Sequence, residues 1–384
     1  MNSKLSLLQA FNNAADQFSD VTAILDNEKK YTFSELKVAS DKLAVGLIEK
    51  GVIKGDRIAL YCINSAEFAI AYMGIIKAGA AVVPINLLQK PTEIAYVMEN
   101  SEVSGLIYHD AFEANVEVTI SQLQNPLFTL CISAEREKST YWDEAFNNNG
   151  IPPELDVDVD NDLVAILYTS GTTGHPKGAM LTHLNLVTNT ASVFVAMNWV
   201  AKKDVVALVL PMFHAFAATV GMLTPLTHGC CFVPISKFEP DNLLNIIEKT
   251  KSTVFLGVPS MYNVLLNTKD NKASRFDSIR MCISGGASMP VDVLNRFEKK
   301  FNTPIYEGDG PTECSPVTCV NPIGGTRKVG TVGLPIPNVE MKIVDEQGNE
   351  MSLGEIGEIA VRGDSVMKGY WNLPVETAET FLGD

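Results

Sequence analysis

A strand, a helix and a second strand follow one another within residues 57–85, and this succession limits the possible folds more than any other feature of the chain. Residues 57–63 are an apolar run. A helix from about Ser65 presents Phe68, Tyr72, Ile75 and Ile76 on one face, Gly79 ends it, and residues 81–85 return as a strand. Parallel strands need a crossover of this length, so the sheet is at least partly parallel. The alternation resumes downstream, where strands at 254–258, 279–284 and 304–306 are separated by a helix after Pro259 and another over 290–301. The expected class is α/β, with two doubly wound layers.

The ends of the chain are patterned differently. Leu7, Phe11, Ala14 and Phe18 recur at helical spacing, which makes the N-terminus an amphipathic helix and not a signal peptide. Thr32 and Glu35 match a capping box, opening a helix that carries Leu36, Leu43 and Leu47 and stops at Lys50 and Gly51. Weaker signals place strands at 105–108 and 127–132. An acidic, proline-containing connector over 151–162 suggests a boundary, giving subdomains of 1–160 and 161–321. Past Asn321 the helices drop out. Short strands at 332–336, 339–344 and 356–361, with turns at 345–348 and 353–354, predict a small antiparallel, barrel-like β subdomain over 322–384.

A chain of 384 residues with 46% hydrophobic content can bury a large core. Its formal charge of −15 disfavours nonspecific contact with nucleic acid or anionic membrane, so any phosphate must be recognised by local loops. The 7 cysteines, at 62, 131, 230, 231, 282, 314 and 319, form no Cys-x-x-Cys pair, which argues against a disulfide framework or a structural zinc site and fits a reducing cytoplasm. Residues 205–236 contain no charged side chain, long enough to span a bilayer, yet Pro211, His214, Gly221, Pro225, His228 and Gly229 punctuate them. A buried strand, loop, short helix and strand is the expected outcome, with no transmembrane segment. The sequence leaves a homodimer open.

The densest chemistry lies at residues 168–178, YTSGTTGHPKG, directly after the apolar run 162–167 and before a helix expected over 181–195. Gly171, Gly174 and Gly178 let backbone N–H groups approach a ligand, Thr169, Ser170, Thr172 and Thr173 add hydroxyls, and Lys177 adds a mobile positive charge. The string is a phosphate cradle. It is not a Walker A sequence, because Lys177 comes three residues after Gly174 and is followed by Gly178. It resembles the signature of the adenylate-forming enzymes, the acyl-CoA synthetases, luciferases and adenylation domains. The resemblance implies that the loop holds the β- and γ-phosphates of ATP while a carboxylate attacks the α-phosphate.

Three further motifs agree. Residues 306–313, YEGDGPTE, match the family's aromatic-Gly-x-Thr-Glu pattern at Gly310, Thr312 and Glu313, implying that Thr312 contacts the α-phosphate and Glu313 holds Mg²⁺. A lone carboxylate completed by phosphate oxygens and waters suits a magnesium site. Asp309 stands where the family usually has an aromatic residue against the adenine, so stacking there is lost, and the alternatives are a hydrogen bond between Asp309 and the nucleotide or packing by Tyr306. Residues 283–290, ISGGASMP, imply that Gly285, Gly286 and Ala287 line the adenine and acyl sites. Residues 211–216, PMFHAF, place His214 where the family orients the acyl carboxylate. No general base is required, since a carboxylate is ionised at pH 7 and pyrophosphate is the leaving group. Residues 357–363 and 367–371 also resemble the family and receive no catalytic role.

The resemblance covers essentially all 384 residues. It implies ATP-dependent activation of a carboxylic acid to acyl-AMP, followed by thioester formation with coenzyme A. A medium- or long-chain fatty acid is favoured by the apolar stretch 205–233, though Phe213, Phe216 and Met222 could equally hold an aromatic acid. The sequence also admits delivery of the acyl group to a carrier-protein thiol, or nucleotide and acyl binding without catalysis. The family's ribose-binding aspartate and its small domain with a catalytic lysine match nothing up to Asp384, so residues 1–384 alone are expected to bind ATP weakly and to be impaired in both steps.

Overall fold

The structure, a computed structural model, describes residues 4–133, 135, 140–169 and 175–383. Its strands are, in chain order, β1 (Thr22–Asp26), β2 (Lys29–Thr32), β3 (Arg57–Tyr61), β4 (Ala81–Pro84), β5 (Gly105–His109), β6 (Phe128–Ile132), β7 (Leu163–Thr169) and β8 (Lys177–Thr182). There follow β9 (Val205–Leu208), β10 (Cys231–Pro234), β11 (Val254–Gly257), β12 (Met281–Ser284), β13 (Ile305–Asp309), β14 (Cys319–Val320), β15 (Leu334–Pro335), β16 (Glu340–Val344) and β17 (Glu358–Arg362).

Two sheets organise the molecule. One runs β6-β5-β3-β4-β7-β8 and the other β15-β14-β13-β12-β11-β9-β10-β1-β2. Their centres are parallel, as the βαβ succession requires; the hairpin β7–β8 closes one edge of the smaller sheet, and the larger is antiparallel at both edges, through β1–β2 and β13–β14–β15. The pairing crosses the boundary expected near residue 160. Strands β7 and β8 complete the sheet begun by the N-terminal segment, and β1 pairs in parallel with β10 of the other sheet. Helix Ala66–Lys77 explains why the two halves do not separate. It is buried at every position except Glu67, and one continuous core joins it to Ile58 and Leu60 of one sheet and to Ile24, Val206 and Phe232 of the other. Ser65 caps this helix by accepting from the Phe68 amide at 3.2 Å.

The N-terminal helix, Leu7–Gln17, and the capped helix Phe33–Glu49 occupy the expected positions, and the Thr32 capping box is complete. Residues 205–236 fold as β9, a loop, the helical segments Ala217–Leu223 and Thr224–His228, and β10. Among the described residues no helix is long and apolar enough to cross a membrane. The helix expected over 181–195 starts later than its periodicity suggests. Lys177–Thr182 is instead a strand in register with β7, and the helix spans His183–Ala196 from a Thr182 cap. Backbone pairing along the β7 edge outweighs the helical pattern there. The antiparallel appendage past residue 321 is a two-stranded ribbon of β16 and β17, with no further strands closing it among the described residues; β15 extends the large sheet.

Candidate active site

The glycine-rich string is carried by the hairpin of β7 and β8. Thr169 faces Lys177 in the register, and its hydroxyl donates to the Lys177 carbonyl at 3.5 Å. Both feet of the loop are therefore fixed. Ser170, Gly171, Thr172, Thr173 and Gly174 lie outside the described residues. Lys177 is half-buried, with Nζ 5.2 Å from the ring centroid of Tyr370.

Tyr370 belongs to a strap, residues 367–371, that lies along the free edge of β8. Met180 N–H donates to the Gly369 carbonyl at 2.9 Å, Lys368 N–H to the Met180 carbonyl at 2.9 Å and Trp371 N–H to the Gly178 carbonyl at 2.8 Å. At its start, Met367 N–H donates to the Glu313 carbonyl at 2.7 Å, and at its end the Trp371 indole donates to the Asn100 carbonyl at 3.0 Å. The Tyr370 hydroxyl donates to Glu313 Oε1 at 2.6 Å. Burial, then the Glu313 carboxylate, raise the Tyr370 pKa above the ordinary phenol value, so the hydroxyl remains a donor. Two residues 136 positions apart in sequence, Lys177 and Glu313, thus meet on one aromatic ring.

Beside this junction lies a cleft lined by His214, Phe216, Ser284, Gly285, Gly286, Asp309, Gly310 and Thr312. Glycine is required at 310 by the return of the chain, because a Cβ there would fall 1.7 Å from the Pro316 carbonyl oxygen. That return sets Thr312 and Glu313 on the short helical turn Thr312–Cys314. His214 is exposed to the cleft, while the surrounding protein desolvates its imidazole and lowers its pKa, favouring the neutral ring. Phe216 faces Gly285, whose added Cβ would stand 3.3 Å from the ring. Ala287 sits on the exposed turn beyond the lining. Tyr306 does not line the cleft; Arg327 covers its ring at 5.6 Å. Met222 is fully buried in the core and also lies off the cleft, whereas Phe213 is half-buried.

The family described as AMP-binding enzyme matches residues 11–371. The chain belongs to that family. It is 33% identical to a long-chain-fatty-acid–CoA ligase of Bacillus subtilis, over 97% of this chain and 72% of the relative. It is 31% identical to the enzyme of the same name from Escherichia coli O157:H7, again over 97% and 72%. Among solved structures, ATP-bound MatB from Rhodopseudomonas palustris superposes with a TM-score of 0.89 at 28% identity, over 99% of this chain and 75% of that one. A long-chain-fatty-acid-CoA ligase from Archaeoglobus fulgidus gives 0.89 at 28%, over 99% and 79%. Three of these four proteins, the two bacterial relatives and the Archaeoglobus structure, are CoA ligases by name.

Behind the enzyme's cleft stands a set of buried polar side chains that its motifs do not announce. Asn64 donates to the carbonyls of Leu208, Leu210 and Ile235 and accepts from Met212 N–H, fixing the turn that carries His214. Asn189 donates to the carbonyls of Cys314 and Val317 and holds the return past Glu313. Glu307 accepts from the amides of Met289 and Gly330, pinning the glycine turn after β12. Ser284 Oγ is buried in the cleft wall without a partner among the described residues. A polar residue inside an apolar run is the signal that finds such positions. Tyr370 carried no such signal, since tyrosine in a strand-and-turn segment is ordinary packing.

Proposed function

We propose that this enzyme activates a carboxylic acid with ATP, forming acyl-AMP and pyrophosphate, and transfers the acyl group to the thiol of coenzyme A. The observation that carries the proposal is the meeting of Lys177 and Glu313 on Tyr370 at the edge of a cleft lined by Thr312 and His214. Phosphate is bound at the β7–β8 loop, with Thr169 and Lys177 at its feet and Ser170, Gly171, Thr172, Thr173 and Gly174 between them. Lys177 neutralises charge on the departing pyrophosphate, and Thr312 orients the α-phosphate. Gly285, Gly286, Asp309 and Gly310 form the adenine side, with Asp309 accepting a hydrogen bond instead of stacking, and Ala287 stands outside it. Neutral His214 orients the acid's carboxylate by hydrogen bonding.

The donor set fits Mg²⁺. Glu313 is a single carboxylate whose Oε1 is taken by Tyr370 and whose Oε2 has no donor among the described residues, so Oε2 would hold the ion together with phosphate oxygens and water. Bound there, Mg²⁺ supplies charge neutralisation at the phosphates. A medium- or long-chain fatty acid is the substrate favoured by the relatives' names and by the apolar wall of Phe216, Ile283 and Val317. All 7 cysteines are buried and none is in a disulfide, which supports a cytoplasmic setting.

The test is acid-dependent pyrophosphate exchange over a panel of carboxylic acids, repeated with Lys177→Ala and Glu313→Gln, and with coenzyme A or a carrier protein as acceptor. Exchange that requires acid and Mg²⁺, falls about 100-fold in each variant and ends in an acyl-CoA thioester is expected. Exchange unaffected by both substitutions refutes the assignment, and transfer only to carrier protein refutes coenzyme A as acceptor.

A further inference from the structure

The strap that brings Tyr370 to Glu313 is built with more constraint than edge packing needs. Tyr370 N–H donates to Thr377 Oγ1 at 2.9 Å, and the backbone on either side is laddered to β8. Gly369, at φ +139°, admits no side chain, because a Cβ would meet Thr377 Cγ2 at 2.7 Å. The ring is therefore held in one place. Its face lies beneath Lys177 Nζ, and its hydroxyl reaches one oxygen of Glu313.

A carboxylate offers about four lone-pair directions on two oxygens and otherwise rotates freely about its last bond. One short charge-assisted hydrogen bond to Oε1 removes that rotation and leaves Oε2 aimed in a single direction. The same ring supplies a negative face to the Lys177 ammonium, so cation and carboxylate are placed by one rigid group.

Granted the role proposed above for Glu313, we infer that Tyr370 is a positioning residue for the metal and phosphate end of the site, acting through the Glu313 carboxylate and the Lys177 ammonium. It touches no reacting atom. Its hydroxyl presets the carboxylate that faces the cation, and its ring fixes the distance between that carboxylate and the phosphate-binding lysine. Outer hydrogen-bond partners of this kind tune metal affinity when they orient a ligating group.

Tyr370→Phe separates the two contributions, since it keeps the ring under Lys177 and the backbone ladder and removes only the hydroxyl. ATP binding to the chain is followed by titration calorimetry, with and without Mg²⁺, in the native protein, Tyr370→Phe, Glu313→Gln and Lys177→Ala. In Tyr370→Phe the metal-free affinity for ATP stays native and the Mg²⁺ concentration that half-enhances binding rises about tenfold. A native Mg²⁺ response in Tyr370→Phe, alongside a lost response in Glu313→Gln, overturns the role of Tyr370. If Glu313→Gln itself leaves the Mg²⁺ response native, the assignment of Glu313 fails instead. Should Tyr370→Phe not fold, 3-fluorotyrosine placed at position 370 keeps the hydroxyl and gives a second measurement. Its ¹⁹F resonance moves when Mg²⁺ joins ATP, and a resonance indifferent to Mg²⁺ overturns the inference.

Discussion

Replacing Asn64 disconnects the two sheets at the point where the His214 turn is built. The residue is 7% exposed and makes four hydrogen bonds, donating to Leu208, Leu210 and Ile235 carbonyls at 3.2, 2.9 and 3.1 Å and accepting from Met212 N–H at 2.8 Å. Asn64→Ala removes all four bonds, but the Leu208 carbonyl keeps a second partner, the Ile235 amide at 2.9 Å, which leaves three losses that count in full. At a net cost near 1 kcal/mol per lost bond, the substitution destabilises the fold by about 3 kcal/mol. That corresponds to a fall of about 4 °C in Tm for a chain of this size. Asn64→Asp is worse at neutral pH, because it turns a carboxylate toward three carbonyl oxygens. Its folded-state pKa is raised by burial and by those oxygens, so the added penalty is full above that pKa and vanishes below roughly 3.9, the unfolded value. Differential scanning calorimetry of both variants at pH 7.5 and pH 5 tests the reasoning. An Asn64→Ala protein melting with the native one, or an Asn64→Asp protein that regains nothing on acidification, refutes it.

His183 is buried, its Nδ1 has no partner among the described residues, and desolvation lowers its pKa to about 4. The unfolded chain binds that proton near pH 6.5 and the folded chain does not, so stability is full above 6.5 and falls by about 3 kcal/mol as pH drops toward 4. His183→Gln flattens this slope, as urea melts at pH 7 and pH 5 will read, and an unchanged slope contradicts the assignment. All 7 cysteines are buried, and burial pushes the Cys230, Cys231 and Cys314 thiols up to about 12. Ellman's reagent therefore reacts with the denatured chain and leaves the native chain unmodified over minutes; rapid native labelling contradicts the packing.

The local signals in the sequence were strongest where a motif and its element coincide. The Thr32 capping box, the Leu7 to Phe18 periodicity and the helix beginning near Ser65 each determine their own structure, because the interactions that form them span only a few residues. The glycine-rich string, the Thr312–Glu313 pair and His214 stood out for a related reason: glycine, hydroxyl and charge at fixed spacing leave few other uses. Three things were decided by contacts distant in sequence. Leu181 and Thr182 joined the strand Lys177–Thr182, and not the expected helix, because the β7 edge offered partners for their backbone. The expected division at residue 160 gave way to strand exchange, because helix Ala66–Lys77 buries nearly every face between both sheets and so welds them into one core. Tyr370 acquired its place from a ladder to β8 and a hydroxyl contact 57 residues back along the chain. Local chemistry in the sequence named the groups proposed to meet phosphate and metal. Only the tertiary fold decided how they are aimed, since the direction of a carboxylate is set by what it is bonded to and not by its neighbours in sequence.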